Sequence, residues 1–165
     1  MIQSTPLSKY RETEGIKDMT KLASYVYEGE HKYDSAATAN IYDGAFAERA
    51  VNAAGDAIEM KAATAAGAKF SVKEIGDIYE GVKALRLYVE AVDPAKTIYF
   101  VEQNDYLDDT AMYDTTERNV APGKYLRAHP IYVGEEFWSN QIKNLDTATF
   151  NIGQQLTGVT AGIIG

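Results

Sequence analysis

Apolar and polar residues alternate along much of the chain after about residue 40, which is typical of half-buried β-strands. Leu85 to Ala91 shows this most clearly, because its apolar residues fall at every second position. A turn is predicted at Asp93 to Lys96, which contains a proline, and Thr97 to Glu102 then continues as a β-branched and aromatic strand. The two strands are expected to form a hairpin.

Two further strands are predicted nearer the C-terminus. The first is Leu126 to Val133, and Pro130 within it favours a sheet edge or a bulge because proline has no backbone N–H. The second is Glu136 to Ser139, which is expected to pair with the first.

The stretch from Val51 to Ala68 is ambiguous. Its many alanines favour a helix by propensity. However, Gly55 and Gly67 interrupt it, and residues 57–61 alternate in polarity. We therefore interpret it as two short strands around a Gly/Ala turn.

The first forty residues have a different pattern. Apolar residues recur at helical spacing from Ile16 to Val26, which predicts one short amphipathic helix. Residues 1–40 are expected to form an N-terminal arm that packs on its own domain or across a neighbour. Residues 41–165 are expected to form one mainly β domain, a small β-barrel or β-sandwich.

A five-residue pattern occurs four times: a small or apolar residue, glycine, a polar residue, any residue, and an apolar residue. Its glycines are Gly55, Gly76, Gly134 and Gly153. Glycine can adopt positive φ at a tight turn or bulge. The polar residue is then expected to stay in water, and the apolar residue three positions after the glycine to return to the interior.

Length and charge restrict the class of protein. The chain has 165 residues, the usual size of one domain, and a net charge of −8. Its basic residues are scattered singly, which argues against nucleic-acid binding and against anionic membrane surfaces. The sequence shows no secretory signal and no apolar run of membrane-spanning length. Cysteine is absent, which excludes disulfides, thiolate nucleophiles and cysteine-type zinc sites.

The sequence contains little that indicates catalysis. The two histidines, His31 and His129, lack the spacing of a zinc motif and are interpreted as ordinary surface or interface residues. No phosphate-binding loop and no Gly-x-Ser-x-Gly motif is present. We therefore expect no cofactor, no metal site and no enzymatic activity.

Acidic residues crowd the start of the long irregular connection from Asn104 to Lys124. They are Glu102, Asp105, Asp108, Asp109 and Asp114. Such oxygens could bind calcium, but their order does not match an EF-hand loop. A solvated acidic loop is the favoured interpretation. Two of these carboxylates could form the catalytic pair of a glycosidase, but no feature of the sequence identifies such a pair.

Twelve tyrosines are many for this length, and tyrosine is enriched at protein interfaces. Most are explained by strand faces or by the core. The interface residues that we predict lie outside the strand pattern: Tyr10, Tyr25, Tyr27, Tyr106 and Tyr113.

The segment from Leu85 to Asn140 resembles small proteins encoded among the head genes of tailed bacteriophages, which are capsid decoration (cement) proteins or other minor virion components. Its most specific part is Leu126-Arg127-Ala128 followed by Val133-Gly134-Glu135-Glu136-Phe137. The resemblance covers about a third of the chain. No catalytic residues are carried over from it.

The resemblance implies a structural role on the capsid exterior of a virion. The partner would be the major capsid protein, whose lattice the chain would stabilise by bridging subunits, and a homo-oligomer (trimer or dimer) is expected. The acidic composition suits the outside of a shell better than its DNA-filled interior. The alternative is a head fibre, tail or adaptor protein with a host- or glycan-binding role. A carboxylate-dependent hydrolase is less favoured.

Overall fold

The computed structural model describes residues 31–77, 83–102 and 119–165. In these ranges the chain is mainly β and has no helix, so no helix there could span a membrane. The strands are β1 (His31–Lys32), β2 (Ile41–Tyr42), β3 (Phe46–Val51), β4 (Ile58–Ala62), β5 (Ala65–Asp77), β6 (Lys83–Ala91), β7 (Ile98–Val101), β8 (Asn119–Val120), β9 (Tyr125–Leu126), β10 (Ala128–Pro130), β11 (Glu136–Ser139), β12 (Gln155–Thr160) and β13 (Ile163–Ile164).

The strands form open antiparallel sheets. A four-stranded sheet has the order β10-β7-β3-β4, and a five-stranded sheet has the order β11-β6-β5-β12-β13. Two small sheets pair β1 with β9 and β2 with β8. The prediction of a mainly β fold is confirmed. The predicted β-barrel is wrong, because neither larger sheet closes on itself.

The main core contains residues from both larger sheets. Phe46 and Phe100 of the four-stranded sheet meet Phe70 and Phe137 of the five-stranded sheet, and all four side chains are fully buried. The ring centroid of Phe46 lies 5.6 Å from that of Phe100, 5.7 Å from that of Phe70 and 5.5 Å from that of Phe137. These separations are typical of aromatic pairs in protein cores.

A second core covers the opposite face of the four-stranded sheet. Tyr99 and Val101 of β7 belong to it, whereas Ile98 and Phe100 of the same strand belong to the main core. Strand β7 is therefore buried on both faces, and for this reason its sequence is a continuous apolar run.

The predicted hairpin of β6 and β7 is wrong, although both strands form. The turn after β6 is present, with Lys96 N donating to Asp93 O at 3.2 Å. It carries the chain from the five-stranded to the four-stranded sheet. Strand β11 has the predicted bounds, but it pairs with β6 and not with the strand before it.

Other strand predictions are confirmed in part. The segment predicted as one strand from Leu126 to Val133 contains the end of β9 and the whole of β10, and Pro130 lies in the outer strand of its sheet, as expected. Val51 to Ala68 contains no helix but holds the end of β3, the whole of β4 and the start of β5, and β5 continues to Asp77. The predicted irregular connection contains the short strand β8.

The N-terminal helix predicted from Ile16 to Val26 lies outside the described residues. Within residues 31–40, β1 pairs with β9, and Tyr33 is buried in the second core. Burial raises the pKa of the Tyr33 hydroxyl, and the charge of Asp34 raises it further. The division of the chain at residue 40 stays a prediction.

Candidate functional site

Two turns of the five-stranded sheet have the same structure, and we call them the matched turns: Tyr132–Glu135 and Asn151–Gln154. In each, the fourth residue donates its N–H to the first carbonyl, at 3.2 Å for Glu135 and 3.0 Å for Gln154. In each, the fourth side chain also accepts the first N–H, at 2.9 Å from Tyr132 and 3.0 Å from Asn151. Four hydrogen bonds therefore fix the two turns in one conformation.

Each matched turn is also bonded to a valine of the central strands. Gly134 N donates to Val89 O at 3.0 Å, and Val89 N donates back to Glu135 O at 2.9 Å. Gly153 N donates to Val72 O at 2.7 Å, and Val72 N donates back to Gln154 O at 2.9 Å. The glycines have φ of 93° and 83°, a left-handed conformation that favours glycine.

The matched turns are related by an approximate two-fold axis. Ser71 of β5 pairs with Tyr88 of β6, and these residues pair outward with Gln155 and Glu136, the first residues of β12 and β11. The next residue along each central strand, Val72 after Ser71 and Val89 after Tyr88, forms the hydrogen bonds to a matched turn. The turns therefore lie on opposite sides of the row that these four residues form across the sheet.

Each matched turn exposes one β-branched side chain before its glycine. Val133 is 57% exposed and Ile152 is 63% exposed, whereas Phe137 and Leu156, three positions after the glycines, are buried. A solvent-exposed apolar side chain on a hydrogen-bonded backbone loses little conformational freedom on binding, which suits a contact with another protein.

The predictions for the four copies of the repeated pattern are confirmed only in part. Positive φ is confirmed for Gly55, Gly134 and Gly153. The predicted turn or bulge is wrong for Gly76, which lies inside β5 without positive φ and pairs regularly with Ala84. A Cβ at Gly76 would lie 3.0 Å from the Trp138 ring, so close packing explains this glycine. The prediction that the apolar residue three positions after the glycine is buried is wrong for Ile58, which is 67% exposed.

The end of the β3–β4 hairpin forms a third exposed apolar site. Val51 pairs with Ile58, and both are exposed. The connection is held by Asn52, whose side chain bonds the Asp56 carboxylate at 2.8 Å and the Asp56 backbone N–H at 3.1 Å. This site does not share the turn structure of the matched turns.

Both histidines are buried, so the predicted surface location is wrong. His129 Nε2 lies 3.0 Å from Glu102 Oε2, and the His129 ring lies 5.9 Å from that of Phe100. Glu102 is consequently a buried partner and not part of a solvated acidic loop. Sequence did not reveal this pair because it depends on the pairing of β10 with β7.

Glu59 joins the segment after β1 to the end of the β3–β4 hairpin. Ser35 donates its N–H to Glu59 at 2.8 Å and its hydroxyl at 3.0 Å, and Lys32 Nζ lies 3.7 Å away. The Ser35 N–H lowers the pKa of Glu59 most, the Ser35 hydroxyl, Asn52 and Lys32 lower it further, and desolvation opposes them. The group is a structural anchor, since these bonds engage both carboxylate oxygens.

The predicted interface tyrosines all lie outside the described residues, and they stay predictions: Tyr10, Tyr25, Tyr27, Tyr106 and Tyr113. Four members of the acidic cluster do so as well: Asp105, Asp108, Asp109 and Asp114. Within residues 31–77, 83–102 and 119–165, no group of three or more histidine, aspartate or glutamate residues is placed to hold a metal ion.

No protein-family model matches this chain, and no curated protein or solved structure matches it either.

Proposed function

We propose that this protein is a structural virion component that attaches to the outer surface of a tailed-phage capsid and stabilises the lattice by bridging subunits. The matched turns carry the proposal, because they hold Val133 and Ile152 in solvent on a fixed backbone. The first turn overlaps Val133 to Phe137, which belongs to the most specific part of the resemblance to phage head proteins.

The two-fold arrangement of the matched turns suggests how one chain would bridge two subunits. Each turn would insert its apolar side chain into one of two neighbouring capsid proteins. Full burial of a valine or isoleucine side chain stabilises by about 1.5–3 kcal/mol. A single contact is therefore weak, but two contacts on one sheet act together, since the second binding event becomes intramolecular.

Architecture and partners complete the proposed role. We propose that the two larger sheets pack as a β-sandwich around the phenylalanine core. The partner is the major capsid protein, and the chain acts as a homo-oligomer, dimer or trimer, on the capsid exterior. The net charge of −8 is compatible with that side, because packaged DNA would repel an acidic protein.

Sedimentation with assembled empty shells tests the proposal. The shells are pelleted with an excess of the protein, and bound copies per shell are counted. A decoration protein occupies equivalent lattice positions, so on the order of hundreds of copies are expected. About a dozen copies would instead support an adaptor at a single vertex. No binding to shells, together with binding to a soluble tail component, would overturn the proposal.

A further inference from the structure

An open pocket of about 580 Å³ lies between β12–β13 and the segment that follows β11. We propose that this pocket binds a neutral carbohydrate, an activity beyond capsid attachment. The side chains that carry the inference are Asn140, Gln141, Asn144, Thr157, Thr160 and Ile163. The volume lies within the range of about 300–1,000 Å³ that is usual for small-ligand sites.

The polar lining of the pocket matches sugar hydroxyls, which both donate and accept hydrogen bonds. Gln141 Nε2 donates to Asn140 Oδ1 at 3.0 Å, which joins two amides side by side. The Asn140 NH₂ group and the Gln141 carbonyl oxygen take no part in that bond. The pair thus keeps the two N–H donors of Asn140, the second N–H of Gln141 and the Gln141 acceptor oxygen, and the hydroxyls of Thr157 and Thr160 can each donate and accept.

The charge around the pocket restricts the class of ligand. Lys143 is the only lining residue among those described whose side chain is titratable, and no carboxylate side chain lines the pocket. Hard metal ions are usually bound with the help of carboxylate ligands, which this lining does not supply from its side chains. A single lysine also falls short of the cation clusters that bind polyphosphates or nucleic acids. A neutral polar ligand fits best.

The pocket walls are fixed before any ligand arrives. Ile164 N donates to Gln141 O at 3.1 Å, and Lys143 N donates to Ile164 O at 2.8 Å. Gln141 N donates to the Ser139 hydroxyl at 3.0 Å. These bonds hold the amide wall against β13 and already occupy that part of the strand edge. A peptide therefore cannot add there as a further strand, which disfavours peptide recognition by β-augmentation.

Apolar contact is available next to the polar groups. Ile163 is 38% exposed and lines the pocket, which also contains the buried Ile142. Sugar rings present C–H groups on one face and hydroxyls at their edges. Ile163 would pack on the C–H face while the amides bind the hydroxyls.

Nuclear magnetic resonance titration of the isotopically labelled full chain tests this inference, with maltohexaose and chitotetraose as probes. We expect saturable shifts of the side-chain NH₂ resonances of Asn140, Gln141 and Asn144 with at least one of the two sugars. The double variant Asn140→Ala/Gln141→Ala should bind about tenfold or more weakly, because it loses two ligand hydrogen bonds. Gln155→Ala, on the same strand as Thr157 but outside the pocket, should bind like the wild type.

Thr157→Val provides a second variant that removes one hydroxyl with little change of shape, should the double variant unfold. It is expected to weaken binding several-fold. No saturable shift with either sugar, an equal response to glycerol at the same hydroxyl concentration, or unchanged affinity in the pocket variants would overturn the inference. Shell binding by the pocket variants should equal that of the wild type, so failure here is distinguishable from failure of the capsid proposal.

Discussion

At the scale of single residues, Gly162 connects the two larger sheets. It has φ of 80°, and a Cβ at this position would lie 2.9 Å from the backbone oxygen of Phe46. Gly162 O accepts from Phe46 N, and Gly162 N donates to Ala63 O, both at 3.0 Å. The turn between β12 and β13 is therefore fixed against a backbone that cannot easily move.

Gly162→Ala should lower the free energy of unfolding by more than about 2 kcal/mol. The alanine would have to adopt a left-handed backbone conformation, and its Cβ would also clash with the backbone of Phe46. Urea denaturation measures this. Gly153→Ala is the matched control, since Gly153 has φ of 83° but a Cβ there would meet no atom within 4 Å. Its cost should be only the backbone strain of about 1–2 kcal/mol. Equal losses would contradict the packing role of Gly162.

Glu59 makes a second residue-scale prediction, on pH. Its folded-state pKa lies below the usual 4.5, so its ionised form stabilises the fold above that pH. This contribution should be lost as the pH falls from about 4.5 through the lowered folded-state pKa. Glu59→Gln should therefore reduce the dependence of the unfolding free energy on pH in this acidic window. An unchanged slope would show that the carboxylate adds nothing.

At the scale of elements, the matched turns show how a local sequence pattern specifies local structure. Gln154 and Glu135 are each the fourth residue of their turn, and the side-chain oxygen of each accepts the N–H of the first residue of that turn. The two residue types should therefore be interchangeable in the second turn, where the Asn151–Gln154 hydrogen bond is exposed to solvent.

Gln154→Glu is expected to leave stability unchanged within about 0.5 kcal/mol, because the acceptor oxygen is retained. Gln154→Ala should cost about 1 kcal/mol, because the Asn151 N–H loses its partner. Thermal or urea unfolding of both variants decides this. If the alanine variant is as stable as the wild type, the side-chain bond does not hold the turn.

Strand formation was predictable from sequence, but strand pairing was not. Alternation identified β6, and the bounds of β11 were correct, since period two reports one buried face. It does not report the partner strand, so β6 and β7 were wrongly paired. The buried apolar run of β7 was the available signal that it lies between two cores.

The glycines and histidines also show that local conformation was predictable from the sequence, whereas contacts between distant strands were not. Gly134 and Gly153 were predicted as turns because their requirement is local, whereas Gly76 faces Trp138, 62 positions further along the chain. Likewise, the burial of His129 beside Glu102 depends on sheet register. Contacts between distant strands could not be predicted from one sequence.

At the scale of the whole molecule, the mainly β architecture was predictable from the sequence, but the phenylalanine core that joins residues of the two larger sheets was not. Composition and alternation indicated a strand-built domain, but the second core was not foreseen. The capsid role stays a proposal that joins the resemblance in Leu85 to Asn140 with the exposed apolar residues of the matched turns.

The most direct test of that proposal compares shell binding by two double variants of equal chemistry. Val133→Ser/Ile152→Ser removes the apolar side chains of the matched turns, and Val51→Ser/Ile58→Ser removes those at the β3–β4 hairpin end, which are similarly exposed. Binding to empty capsid shells should weaken at least about tenfold in the first variant, from the loss of apolar burial, and stay at the wild-type level in the second. Equal binding by the wild type and the matched-turn variant would contradict attachment through these turns.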